Sequence, residues 1–281
     1  MDYGVSGDLI VTDGKTEVTR FKEVIEDDSI KRIAVNVSGG TDSPLVIYFI
    51  AKFISQTKKY DKEIFPHFMV DTGNMLTIAP TLVPKQIDVI RGLFPDVTIH
   101  DAYTQDFRRE EDWNDDLKRY IAVNKEGRRF KSELYDNIRS ASLDGIKNLY
   151  CEPLKKTMWE VLKPDVLLNG KTSNLPNSIL KLYDVFSEGR ARAADVIEKW
   201  PQDKKDRSPW YKVDKRFIGH QYRKENLMDN LFPLTESCLV ESKGELVDDY
   251  CCEPDAYPCK KCHQCIEKFV AFGMYDKCWT K

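Results

Sequence analysis

Two groups of residues in this 281-residue chain have the types and spacing to do chemistry. The first is Ser38-Gly39-Gly40-Thr41-Asp42-Ser43, which follows the apolar run Ile33-Ala34-Val35-Asn36-Val37 and leads into Pro44-Leu45-Val46-Ile47-Tyr48-Phe49-Ile50-Ala51. A strand that feeds a glycine-rich turn and then a helix start makes an anion site. The N–H groups of the turn and first helical turn point outward, and the helix dipole adds positive potential there. Gly39 and Gly40 let the backbone approach a phosphate oxygen where a Cβ would collide, and Ser38, Thr41 and Ser43 add hydroxyl donors. The second group is Cys259-Lys260-Lys261-Cys262-His263-Gln264-Cys265, with Cys238, Cys251, Cys252 and Cys278 nearby. Two-residue spacers set successive thiolates around one ion, and a fourth thiolate closes a tetrahedral site. Zinc is the default metal for such a donor set, and an iron–sulfur cluster accepts the same four thiolates.

The elements that must position these groups follow from hydrophobic patterning. Residues 31–37 read as a core strand and 43–57 as a long helix. Residues 64–70 read as the next strand, ending at Asp71-Thr72-Gly73, and 79–93 are helical by the spacing of Leu82, Ile87, Ile90 and Leu93. Val97-Thr98-Ile99-His100 is a third strand. The stretch 105–131 is rich in charge and reads as an inserted loop or exposed helices, its run Lys125 to Lys131 a solvated face. Helices follow near 131–148 and 153–163, then a buried strand at Val166-Leu167-Leu168-Asn169-Gly170. Ahead of them, Leu9-Ile10-Val11 and Thr16 to Thr19 flank Asp13-Gly14 as a short hairpin. Strands alternating with helices imply an α/β fold with a doubly wound parallel sheet, ligands lying at the carboxyl ends of its strands. Three segments fall at those ends: the S-G-G-T-D-S turn, Asp71-Thr72-Gly73, and Asn169-Gly170-Lys171-Thr172-Ser173-Asn174. The expected organisation is a cap over 1–29, a nucleotide domain over 30–232 and a small cysteine-rich, zinc-binding tail over 233–281.

Composition narrows the function classes. A charged fraction of 32% with a net charge of −3 describes an ordinary soluble protein and does not suggest one that coats nucleic acid. The longest apolar run, Leu45 to Ile54, is interrupted by Lys52 and is too short to span a bilayer. No secretory signal pattern opens the chain, so the expected location is the cytoplasm. There the eight cysteines read as metal ligands or reactive thiols before disulfides.

The phosphate turn lacks the Gly-Lys-Ser/Thr ending of a Walker A loop. It resembles the signature of the PP-loop ATP pyrophosphatases, in which the loop holds the β- and γ-phosphates and ATP is split between its α- and β-phosphates. Leu234-Thr235-Glu236-Ser237-Cys238, then Pro258-Cys259-x-x-Cys262-x-x-Cys265 and Phe269-Val270-Ala271-Phe272, is similar to the tail of the 7-cyano-7-deazaguanine synthases of queuosine biosynthesis. That resemblance implies zinc on Cys238, Cys259, Cys262 and Cys265. Cys251 and Cys252, in a longer intervening segment, are alternatives to Cys238. Pro209-Trp210-Tyr211-Lys212-Val213-Asp214-Lys215 matches the stretch whose lysine contacts the phosphates there, which assigns that role to Lys215.

The implied reaction joins a small-molecule carboxylate to ammonia at the expense of ATP with magnesium. Ser38, Gly39, Gly40, Thr41, Asp42, Ser43, Asp71 and Gly170 are the nucleotide-binding residues, and Asp42, Ser43 and Lys215 the catalytic ones. Asp42 and Ser43 are expected to face solvent in the empty enzyme, and a homodimer is compatible with the reading. Asp71-Thr72-Gly73 resembles the sulfate-activating and phosphoadenylylsulfate-reductase branch of the same superfamily. This keeps open a sulfur-transfer enzyme with an iron–sulfur cluster. A non-catalytic nucleotide-binding module is the third class.

Overall fold

Ile33, Ala34 and Val35 are all fully buried, so strand β1 (Arg32–Val37) is covered on both faces, as the centre of a parallel sheet must be. The computed structural model describes residues 21, 23–70, 79–106, 157–173, 175–183, 206–210, 213–237, 258, 260 and 263–275. Helix α1 (Asp42–Thr57) leaves the loop after β1 with an unbroken buried stretch from Ser43 to Ala51. Pro44 sits in its first turn, where a missing N–H costs no helical hydrogen bond. The helix ends on Lys58 in the left-handed conformation, whose N–H bonds back to Ile54.

Strand β2 (Glu63–Val70) lies parallel to β1 and carries Pro66 in its middle. A proline lacks the donor that a two-sided ladder needs. The sheet resolves this by changing partners: β3 (Thr98–Ile99) pairs with Glu63 and Ile64, β4 (Tyr103–Asp106) pairs with His67 to Val70, and Pro66 falls in the gap. Helix α2 (Ala79–Leu93) connects β2 to β3 and has the bounds its spacing predicts. Strand β4 is a correction to the sequence reading, which begins a charged insertion at residue 105. Gln105 is instead a fully buried sheet residue, and four residues without an apolar stripe carry no strand signal of their own.

Strands β5 (Val166–Asn169) and β6 (Asp206–Arg207) complete an all-parallel sheet of order β3-β2-β1-β5-β6, with β4 beside β2. Ile33, Val35, Val37, Ile64, Phe68, Val166 and Leu168 share one cluster with α1 and α2. Ala34 and Leu167, from the opposite face, pack with Met158, Trp159 and Leu162 of a helix ending at residue 162. Helices thus cover both faces of the sheet. The remaining elements are α3 (Asn177–Lys181), α4 (Lys215–Lys224), a 3-10 turn at Phe232–Leu234 and α5 (His263–Phe272). Residues 23–26 are helical, and the hairpin expected over residues 9–19 lies outside the described residues. No helix among the described residues is long and apolar enough to cross a membrane.

Candidate active site

The chain runs outward from β1 to β2 and β3, then returns to the other side of β1 to place β5. A crevice opens where the order reverses, between the carboxyl ends of β1 and β5. The S-G-G-T-D-S loop leaves β1 at this point, and Gly170 leaves β5 against it. A Cβ on Gly170 would sit 2.7 Å from Ser43 N, so this glycine is a packing requirement of the loop itself.

The loop closes on itself through Ser38 N–H donating to Ser43 Oγ at 3.2 Å. Gly39 has φ +78, a conformation that favours glycine, and a Cβ there would meet that of Ala79 at 2.7 Å. Thr41 occupies the N-cap of α1 without capping it, because its hydroxyl donates to Asp42 Oδ1 at 3.0 Å. The N–H groups of the first turn are therefore not taken by a side-chain cap, the state in which a helix start receives an anion.

Asp42 is the hub. Lys215 Nζ donates to both its oxygens, at 2.7 and 2.6 Å, and Thr172 Oγ1 donates to Oδ2 at 3.4 Å. The two side chains of the ion pair are only 17% and 11% exposed for Asp42 and Lys215. Lys215 opens α4, where the helix dipole disfavours a cation. Asp214 offsets this as N-cap, accepting from Arg216 N–H at 2.9 Å and pairing with the Arg216 guanidinium. Ser173 N–H donates to Val213 O at 2.9 Å, so Thr172 and Lys215 arrive at Asp42 together.

Two buried aromatics hold the loop from below. Tyr222 donates to Thr41 O at 2.9 Å, and Trp210 Nε1–H to Asp42 O at 3.4 Å. Burial, then the nearby Asp42 carboxylate, pushes the Tyr222 phenol well above its ordinary range, so it stays a donor. Two residues before the loop, a polar ladder crosses the sheet at Asn36. His67 Nδ1 meets Asn36 Oδ1 at 2.7 Å, its Nε2 meets Gln105 Oε1 at 2.6 Å, and Asn36 Nδ2 donates to Asn169.

The structure brings Ser38 to Ser43, Gly170 and Lys215 together, while Asp71 lies outside the described residues. One expectation is corrected. Thr41 and Ser43 are buried and Asp42 is mostly so, because α4 and the β5 loop close over the helix start. Sequence reasoning named the segments that hold Thr172 and Trp210 without giving either residue a role, and it did not reach Gln86 or Tyr222. Gln86 alone left a signal: a polar residue set in the apolar stripe of Leu82, Val83, Ile87 and Ile90.

Of the expected zinc ligands, Cys265 is described, while Cys238, Cys259 and Cys262 are not. Cys265 is buried in the first turn of α5. Among the described residues no three His, Cys, Asp or Glu side chains gather around a metal position.

No family model matches this sequence, and no curated protein does. In structure the chain is similar to NMN synthetase from Francisella tularensis, at 10% identity and a TM-score of 0.44 over 92% of this chain and 86% of that one. It is similar to U34-tRNA thiolase from Methanococcus maripaludis with its 4Fe–4S cluster, at 11% identity and 0.43 over 92% and 76%. It is also similar to NAD+ synthetase from Burkholderia pseudomallei, at 13% identity and 0.47 over 95% and 84%.

Proposed function

We propose that this chain is an ATP pyrophosphatase-type ligase that activates a carboxylate as its adenylate and passes the acyl group to ammonia. The observation that carries this reading is the Asp42–Lys215 pair at an uncapped helix start, opposite Gly170 in the sheet's crevice. A carboxylate oxygen attacks the α-phosphorus and pyrophosphate leaves. Ammonia then displaces AMP from the acyl carbon and yields the amide. A second adenylation, on the amide oxygen, followed by loss of AMP gives a nitrile, as in a 7-cyano-7-deazaguanine synthase.

The leaving pyrophosphate gathers charge, and preorganised donors at its oxygens lower the barrier. The donors are the N–H groups of Gly39 and Gly40, with the hydroxyls of Ser38 and Ser43, while the Ser38 N–H and the Thr41 hydroxyl hold the loop's shape through Ser43 Oγ and Asp42 Oδ1. Lys215 shifts from Asp42 to the phosphates, and the Asp42 carboxylate it leaves would hold magnesium. That ion, when bound, neutralises phosphate charge. Asp71, which follows Val70 of β2 in the chain, is a further nucleotide contact. Cys238, Cys259, Cys262 and Cys265 would hold zinc as a structural clamp outside the chemistry.

The test is product analysis with ATP, magnesium, ammonia and a panel of acids that includes deazaguanine carboxylates. The expected products are AMP and pyrophosphate, formed only with a matching acid. ADP and phosphate, or turnover indifferent to the acid, would overturn the reading. A protein with one zinc and no visible colour is expected; the broad visible absorbance of iron thiolates would replace it with sulfur transfer.

A further inference from the structure

We infer that Gln86 and Lys268 are positioning residues for the phosphate loop, acting through the Gly39 carbonyl and aiming the Gly40 N–H at the phosphates. The inference rests on the phosphate-binding reading of the loop and adds the device that orients it.

Gly39 O accepts two hydrogen bonds, from Glu236 N–H and from Gln86 Nε2, both at 2.9 Å. The second proton of the same amide goes to Leu234 O at 2.7 Å. Gln86 is buried, and this pairing assigns its amide: turned over, its oxygen would face two carbonyls. A trans peptide is planar, with C=O and N–H pointing in opposite directions. Holding Gly39 O against α2 and residues 234–236 therefore turns the Gly40 N–H the other way, into the mouth of the loop. The same anchors hold Gly39 in its left-handed conformation, which an unanchored glycine leaves easily.

Residues 234–236 need an anchor of their own, and α5 supplies it. Lys268 is buried, with Nζ 3.0 Å from Thr235 O and 2.8 Å from its Oγ1, and 4.7 Å from the Phe232 ring centroid. Thr235 closes the 3-10 turn through its own hydroxyl on Phe232 O, at 2.7 Å, and Glu236 follows it in the chain. The line of contacts thus runs Lys268, Thr235, Glu236, Gly39. The cysteine-bearing helix and the phosphate loop are two ends of one hydrogen-bonded path, and Gln86 is its second support. Neither Gln86 nor Lys268 touches the nucleotide in this scheme.

The experiment is calorimetric binding of magnesium pyrophosphate to the full chain and to Gln86→Leu, Gln86→Glu and Lys268→Met, each at a temperature where circular dichroism gives a folded protein. A mispositioned donor to a charged oxygen weakens affinity by about tenfold. Gln86→Leu and Lys268→Met should each show that loss. Gln86→Glu keeps the shape but sets carboxylate oxygens against two carbonyls, so it should lose more than Gln86→Leu. A purely packing role predicts the opposite order, with Gln86→Glu the milder of the two in affinity. Folded Gln86→Leu and Lys268→Met variants that bind pyrophosphate as tightly as the parent would overturn the inference. If Gln86→Leu does not fold, Lys268→Met decides, since its side chain lies on a different element. Failure of the parent chain itself to bind pyrophosphate would overturn the phosphate-loop reading instead.

Discussion

Asp42 holds Lys215 with both carboxylate oxygens, and α4 and the loop after β5 keep most water from the pair. Removing one partner strands the other charge in a poorly solvated place, which costs more than the pair contributes. Lys215→Met should lower unfolding free energy by about 1–3 kcal/mol, a range discounted for the residual exposure. The double variant Asp42→Asn with Lys215→Met should regain most of that stability in urea titrations and still release no AMP. A double variant that turns over ATP would remove both residues from the chemistry. Gly170→Ala tests the crevice directly. Its new Cβ would lie 2.7–2.9 Å from backbone atoms of Asp42 and Ser43, which cannot yield as a flexible side chain would. The expected cost is about 1–3 kcal/mol in a thermal or urea melt, with a raised KM for ATP. Unchanged stability would mean that the helix start can slide away from β5.

Helices α4 and α5 cross so closely that a Cβ on Gly219 would stand 2.2 Å from Ala271 O. Phe272 packs beside Tyr222 and Phe232, with ring centroids at 5.5 and 4.5 Å, and Arg223 donates to Ala271 O at 3.1 Å. Gly219→Ala must therefore push α5 outward and lower the melting temperature. Gly92, near the end of α2, offers the contrast, for nothing lies within 4 Å of its added Cβ. Gly92→Ala should stabilise the protein by about 0.5–1 kcal/mol, the helical cost of glycine. Equal effects from the two substitutions in parallel melts would refute the close crossing. Neither outcome is legible in the sequence, where both glycines are single small residues in helical patterns.

Across the whole molecule, the C-terminal segment is joined to the sheet and its helices by burial. Ile266 packs with Leu175 and Leu180, while Ala271 and Phe272 share the main core with α1 and β1. Metal on the four cysteines would add folding free energy on the order of 10 kcal/mol, as structural zinc sites do. Cys262→Ser or Cys265→Ser should then lower melting temperature and zinc content together, with activity lost through unfolding. Retention of one zinc per chain in both variants would remove these residues from the ligand set. A variant that stays folded and loses only the chemical step would move the cysteines into the active site.

Local order was readable because its causes are local. The apolar run before Ser38, the two glycines and the early proline specify strand, turn and helix through backbone sterics and period, and α2 was legible from its 3.6-residue stripe for the same reason. The doubly wound parallel sheet followed from strands alternating with helices. Strand β4 did not follow, because its residues are polar and their burial depends on what covers them. Who meets Asp42 is a matter of strand order and helix docking. Lys215 is 173 residues away, and Thr172 is 130 away. Resemblance pointed to Lys215 as a phosphate ligand, yet only the fold pairs it with Asp42. Gln86 is buried by the same docking that gives it two carbonyls to satisfy. Such partners are chosen by which backbone groups a buried polar side chain must reach, and that choice exists only once the chain has closed on itself.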